Sequence, residues 1–472
     1  MKKIKYIYLT LALAAGLTSC SLDVTNYDQP EASSAYSTLQ DVKNGMHGAY
    51  YFLGQYEFLG NYAIATGDMS AGVSIGSTSS GHFVAMSRYT FSDTQDELES
   101  IWDYGFKVIN SCTRTINGAK AVMAAKSLSN SETAEINSYM GQCYALKALA
   151  NYYLVNLFAL PYSDANKSGL GLPLVKDEPI VAFATIKRST VSETYDQILS
   201  DLASAETALA AGTDVTSAYY MGKMGIKALE ARVYMSMGDY EKAEAAAKMA
   251  ISLKGKGNGT ATDKAPSNDD YVAMWSSTAI TDEDLFTIVK SDDDNLSANA
   301  LNTLYGSYSG ALQKPILKLF ASTDIRYSGL INGSHPKKFD GTASAQAVSN
   351  IPIFRKSEMS LIIAECEARI GTIANAQNYL MFTAKRNTAI TSTSDLPSTK
   401  ADLLTFISEE RIREFFGEGH RFYDARRMGD KITSETFSNF DIKNFVFPIP
   451  ASEINTATGV VQNTGWENNM PG

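Results

Sequence analysis

Cysteine is scarce in this chain, with 4 in 472 residues. Cys112, Cys143 and Cys366 are an odd set, widely spaced and each inside a helical pattern. They give no disulfide framework, and buried free thiols are expected. Histidine is equally rare: His47, His82, His335 and His420 are scattered, with no H-E-x-x-H. That speaks against catalytic zinc, and no metal or other cofactor is expected. Basic residues do not dominate either, since 41 Lys+Arg against 51 Asp+Glu leave a formal charge of -10. Without a long Lys/Arg cluster to displace counterions from phosphates, nucleic acid is not expected as a partner. Beyond the leader no apolar run reaches about 18 residues, so no membrane-spanning helix is expected.

What is present begins at the N-terminus. "MKKIKYIYLTLALAAGLTSC" carries Lys2, Lys3 and Lys5, an apolar run from Tyr6 to Leu17, then small residues. That is the pattern of a secretory leader, too short to cross a bilayer. Leu17-Thr18-Ser19-Cys20 resembles a bacterial lipobox. The resemblance implies that residues 1–19 are removed and that Cys20 is acylated, anchoring the chain to membrane lipid. Residues 20–37 read as a polar tether.

Helical periodicity starts near Thr38, where Leu39, Val42, Met46 and Tyr50 share one stripe. A second helix places Trp102, Phe106 and Ile109 on one face, which assigns Trp102 to the core. "IKALEARVYMSMGDYEKAEAAAKMAI" (226–251) resembles a tetratricopeptide repeat. Tyr234, Gly238, Tyr240, Ala243, Ala247 and Ala250 fall at that motif's spacing: small residues allow close helix approach, and Gly238-Asp239 makes the turn. Weaker echoes occupy 137–162, 357–387 and the stretch from 407. The chain therefore reads as mostly α, a helical-repeat scaffold with repeats around 38–162, 190–254 and 357–430. Residues 60–95 and 255–350 lose this period and are rich in turn formers. They are expected to form a large, loop-rich ligand-binding face.

Several chemical motifs fail on their context. Gly72-Val73-Ser74-Ile75-Gly76 matches the nucleophile elbow formally, but "STSSGHF" follows it instead of a helix. "GKGNGT" (255–260) trails a helix and lacks the phosphate-loop Lys-Ser/Thr. "SDDDN" (291–295) lacks the turn glycine and terminal glutamate of an EF-hand.

"ISEERIREFFGEGHRFYDARRMGD" (407–430) is the most charged stretch. On a continuous helix, Glu410, Glu414, Glu418, Arg421 and Asp424 fall within about 120° of one face, with Arg427 at its edge. Paired carboxylates are the tools of glycoside hydrolysis, but such catalysis needs one carboxyl kept protonated and one ionised. Here interleaved arginines favour ionisation of every carboxylate. The spacing predicts an ion-pair lattice, including Glu418–Arg421 and Arg421–Asp424.

The same stretch resembles the late signature of the SusD/RagB family, E-R-R-x-E-L-x-F-E-G-x-R-W-x-D-L-R-R-W-G. Glu410, Arg411, Glu414, Glu418, Gly419, Arg421, Asp424, Arg427 and Gly429 match it, while Ala425 and Met428 replace a leucine and a tryptophan. "VFPIPASEINTATGVVQNTGW" (446–466) is similar to that family's closing P-I-P…E-I…Q-N-P-G-[YW], with Thr464 in place of proline. The resemblance implies a SusD-like α-superhelix and a lipid-anchored protein exposed on the outer membrane. It implies capture of oligosaccharide, or in some relatives peptide, for a SusC-like TonB-dependent transporter, with no catalytic residues. It assigns the charged signature a structural role and draws ligand residues from the loops. Those regions offer Asn61, Asp68, His82 and Phe83 early, and Trp275, Tyr305 and Tyr308 in the middle. The family's tryptophan-rich early loop has no counterpart between Asn61 and Tyr89. A hydrolase using carboxylates of residues 410–424 and a repeat scaffold binding only protein are the competing readings.

Overall fold

The computed structural model describes residues 35–179, 185–255, 257–262, 267–340, 347–456 and 459–471. Cys20, the leader and all but the end of the tether lie outside the described residues. The fold is built mainly from helices: α1 (Leu39–Leu53), α2 (Tyr62–Met69), α3 (Val84–Arg88), α4 (Asp96–Ala125), α5 (Asn130–Phe158) and α6 (Val191–Ala210). They continue as α7 (Lys223–Met237), α8 (Tyr240–Lys254), α9 (Lys356–Ile370), α10 (Ile373–Ala384), α11 (Lys400–Phe415) and α12 (Arg421–Met428). Helices pair along the chain, α4 on α5, α7 on α8 and α9 on α10, and α9 also packs on α8. This is the expected helical-repeat scaffold, mostly α.

Local sequence explains where these helices start and turn. Thr38, Ser129 and Thr190 cap α1, α5 and α6 through reciprocal bonds with Asp41, Glu132 and Glu193, each a capping box. Gly238 takes a left-handed φ of 75° between α7 and α8, a conformation a side chain would strain. Asp239 then caps α8 through the Lys242 N–H. Buried Ala243, Ala247 and Ala250 let α8 approach its neighbours closely. From Ala145 to Phe158, α5 is buried on every side, as expected of a helix at the centre of a large core. Trp102 packs on Phe106 and edge-on to Phe158 in the same core, and Cys112, Cys143 and Cys366 are free and buried.

The two aperiodic regions hold more structure than their composition predicts. Strands β1 (Ser74–Ile75), β2 (Asp284–Ile288), β3 (Ala311–Leu312) and β4 (Ile351–Arg355) form two antiparallel pairs, β1 with β3 and β2 with β4. The β1–β3 pair stitches the early region to the middle one. Helix α2 lies inside the early region and buries Ala63 to Met69 completely. Burial on all faces erases the amphipathic period, so the segment reads as a loop. Its glycine marks a close approach: a Cβ on Gly67 would sit 2.1 Å from the Gly419 carbonyl oxygen. Ser74 of the formal nucleophile elbow is buried in β1, not raised on an exposed turn.

Candidate functional site

The charged signature is not one helix. Helix α11 ends at Phe415 and α12 starts at Arg421, with Gly417 (φ 82°) and Gly419 (φ 78°) in left-handed conformations between them. The break aims Glu418 away from Arg421. Arg421 bonds instead to Asp430 (2.8 Å) and Ser408 Oγ (3.1 Å), so the predicted Glu418–Arg421 and Arg421–Asp424 pairs are replaced. Asp424 lies between Arg411 (2.7 Å) and Arg427 (2.8 Å), and Arg427 reaches on to Glu365 (2.7 Å).

The larger part of the lattice takes its cations from elsewhere in the chain. Arg326 bonds Asp324 (2.7 Å), Glu410 (2.8 Å) and Glu414 (3.1 Å). Arg355, closing β4, bonds Glu418 (2.8 Å), Glu414 (3.0 Å) and Glu283 (3.3 Å). Arg386 holds Glu414 at 2.9 Å and Lys338 holds Glu418 at 2.7 Å. All of these side chains are buried. Burial pushes the Glu414 carboxyl up, but Arg386, Arg355 and Arg326 outweigh it and hold the group well below the carboxylate range. A general acid must keep a proton near neutral pH and meet its substrate. Glu410, Glu414 and Glu418 are sealed from solvent and tied to cations, so they are structural anions, not a hydrolytic pair.

Of the seven loop candidates, five are inside. Asn61 donates through Nδ2 to the Asn299 carbonyl (2.7 Å). Asp68 accepts the Gly417 N–H, and burial raises its carboxyl to about 8. Phe83 is buried edge-on to Tyr62. Trp275 is 2% exposed and roofs the lattice, with the Lys338 ammonium 4.5 Å and the Arg355 guanidinium 5.2 Å from its ring. Tyr305 is 0% exposed. These rings and amides hold the loops on the scaffold and offer no face to a ligand. Turn-former composition conceals such burial because the short elements there bury their side chains without a readable period.

His82 and Tyr308 are different. Both remain partly exposed, and their rings stack at 4.1 Å with an interplanar angle of 12°. The pair joins the early region to the middle one. Ser80 Oγ donates to the Tyr308 carbonyl (2.9 Å), and the Tyr308 N–H donates to the Thr303 carbonyl (2.9 Å). Next to His82, Phe83 holds a left-handed φ of 55°, costly for an aromatic residue. Its buried ring anchors the backbone while His82 stays at the surface.

The family model of the SusD family matches residues 99–466. The chain belongs to the SusD family. A SusD superfamily protein of Bacteroides thetaiotaomicron superposes with a TM-score of 0.77 at 25% identity, covering 90% of this chain and 99% of that one. A surface glycan-binding protein A of Bacteroides fluxus shares the fold, with a TM-score of 0.69 at 19% identity over 91% of this chain and 100% of that one. A SusD-like protein of Formosa agariphila is 36% identical over 110 residues, which is 23% of this chain and 19% of the relative.

In this SusD-family chain the signature glutamates Glu410, Glu414 and Glu418 are thus the anions of a buried lattice, and sequence reasoning missed the distant cations that hold them. Arg326, Lys338, Arg355 and Arg386 lie 24 or more positions before Glu410. The one available signal was Arg355, a charge at the end of the apolar run "IPIF". Among the described residues no group of three or more His, Cys, Asp or Glu side chains is arranged to hold a metal ion, and Asp294 of the acidic run pairs with Lys290. No described helix is long and apolar enough to cross a membrane.

Proposed function

We propose that this protein captures glycan at the bacterial cell surface, held to the outer membrane by acylated Cys20, and delivers it to a SusC-like TonB-dependent transporter. The observation that carries the ligand reading is the stacked, partly exposed His82–Tyr308 pair, on the region the family resemblance assigns to ligand. Sugar rings present apolar C–H faces, which settle on aromatic faces while their hydroxyls seek nearby polar groups. The glycan-binding protein of Bacteroides fluxus with the same fold supports this reading.

Calorimetry of the full chain against a glycan panel, with product analysis after long incubation, tests it. Saturable binding without released reducing ends is expected. His82→Ala and Tyr308→Ala should each weaken binding about three- to tenfold, the worth of roughly 0.5–1.5 kcal/mol of aromatic contact, at unchanged Tm. Full affinity in both variants would remove the pair from the site. Released reducing ends would point to hydrolysis, and a blank panel beside a stable transporter complex would point to a protein-binding scaffold. For the anchor, Cys20→Ala is expected to leave the membrane fraction; retention after a high-salt wash would count against acylation.

A further inference from the structure

A second aromatic cleft lies on the scaffold, sharing no lining residue with the His82–Tyr308 pair. His47, Tyr50, Tyr51 and Gly54 follow one another along one face of α1 and its C-cap, at the spacing that aligns helical side chains. Opposite them stand Tyr219 and Tyr220, and the floor is closed by Ile288 to Lys290 and Asp294. The cleft holds about 260 Å³, just under the roughly 300–1,000 Å³ of small-molecule pockets. A further space of about 260 Å³ adjoins it across His47 and Tyr220, reaching Gln142 and Thr216. Together they form a groove whose two halves share His47 and Tyr220.

Its walls are fixed before any ligand arrives. Tyr50 donates its hydroxyl to Gln142 (2.9 Å) and accepts the Met221 N–H (2.7 Å). Its ring meets Tyr220 edge-on at 5.5 Å and 82°. Tyr219 donates to the Thr278 carbonyl (2.7 Å), and the Ala218 carbonyl accepts the Thr287 N–H (2.8 Å). That scaffolding leaves Tyr220 37% and Tyr51 59% exposed side by side in one cleft, and contiguous exposed rings, unlike scattered ones, mark interaction sites. At the cleft's end Lys290 and Asp294 pair at 3.2 Å, a donor and an acceptor side by side with no net charge.

We infer that this cleft is a second saccharide subsite, selective for a neutral oligosaccharide. Exposed tyrosine faces suit the C–H face of a sugar ring, and the Asp294 carboxylate, about half exposed and held by the buried Lys290, can accept from a sugar hydroxyl. The groove's carboxylates, Asp294 and Asp214, are matched in number by Lys290 and Lys43, so its lining has no net charge to attract an acidic or a cationic polymer. The inference rests on the glycan-capture reading, and two subsites on one rigid body would retain a long chain by multivalency.

The test is titration of the full chain with neutral gluco-, xylo-, manno- and fructo-hexaoses, monitored by calorimetry and by Tm. Wild type is expected to bind two hexaoses per chain. Tyr51→Ala combined with Tyr220→Ala removes one site, and His82→Ala combined with Tyr308→Ala removes the other, with Tm kept. Should the Tyr51/Tyr220 double variant melt early, Tyr51→Ala alone carries the test, because its ring is mostly in solvent. Unchanged binding in the Tyr51 variants overturns the cleft proposal and leaves the loop-face reading standing. Unchanged binding in the His82/Tyr308 variant, with loss in the Tyr51 variant, does the reverse. A cleft that takes an aromatic peptide but no hexaose overturns the sugar class, and a wild type that binds no hexaose overturns both readings.

Discussion

Replacing Asp68 with asparagine isolates one buried carboxyl group. Asp68 lies on α2 under the Gly417–Gly419 turn, accepts the Gly417 N–H, and burial raises its carboxyl from 3.8 to about 8. At neutral pH the group is therefore protonated in the fold and ionised in the unfolded chain. A raised carboxyl contributes stability that is present below about pH 4 and is lost as pH rises through about 8. Each pH step inside that window changes the contribution by about 1.4 kcal/mol. Between pH 4 and pH 7 the wild type should lose about 4 kcal/mol from this group, a loss that Asp68→Asn avoids. Glu414, Asp424 and Glu365, whose carboxyls are held low by arginines against the upward push of burial, slope the other way. They are common to both proteins and cancel in the difference. Urea unfolding midpoints followed by circular dichroism from pH 4 to pH 7 give the two profiles. Parallel profiles would refute the argument, because they would mean that Asp68 is ionised in the fold. Glycan affinity should be unchanged, and a variant that folds normally but binds nothing would return Asp68 to the ligand set.

Other perturbations test the lattice and the turn. Arg355→Met leaves Glu283, Glu414 and Glu418 short of a cation and should cost about 3–5 kcal/mol; a Tm within a degree or two of wild type would refute the lattice's structural role. Arg421→Ala removes a partly exposed pair with Asp430 and a hydrogen bond to Ser408, so chemical denaturation should show a loss of about 1–2 kcal/mol, and a loss as large as that of Arg355→Met would contradict the geometry. Gly67→Ala drives a methyl group against the Gly419 carbonyl and should destabilise by about 1–3 kcal/mol or more; an unchanged Tm would mean that α2 and the turn do not meet this closely.

The helical scaffold was legible because its determinants are local. Capping residues at Thr38, Ser129 and Thr190, the Gly238-Asp239 turn and the alanine spacing of α8 each act within a few residues, and linear sequence records such spacing directly. The lattice was half legible: Glu410, Glu414, Glu418 and Asp424 announce a dense set of anions in one stretch. Periodicity alone extended a single helix through Gly417 and Gly419, and only their left-handed backbone sent Glu418 to Arg355 and Lys338 instead of Arg421. Ligand candidates fared least well for the same reason. Whether Tyr305, His82 or Tyr308 meets solvent is set by contacts between segments more than two hundred positions apart, such as Ser80 with Tyr308 and Asn61 with Asn299, while Trp275 is covered by Lys338, Phe339 and Arg355 from later in the chain. The exposed Tyr51 and Tyr220 of the second cleft come from α1 and the approach to α7, each unremarkable alone. Sequence by itself determined the amphipathic helices of the repeats and the sign of the charge they carry. Tertiary structure decided which aromatic faces were left open, because exposure is a property of what the rest of the chain packs against.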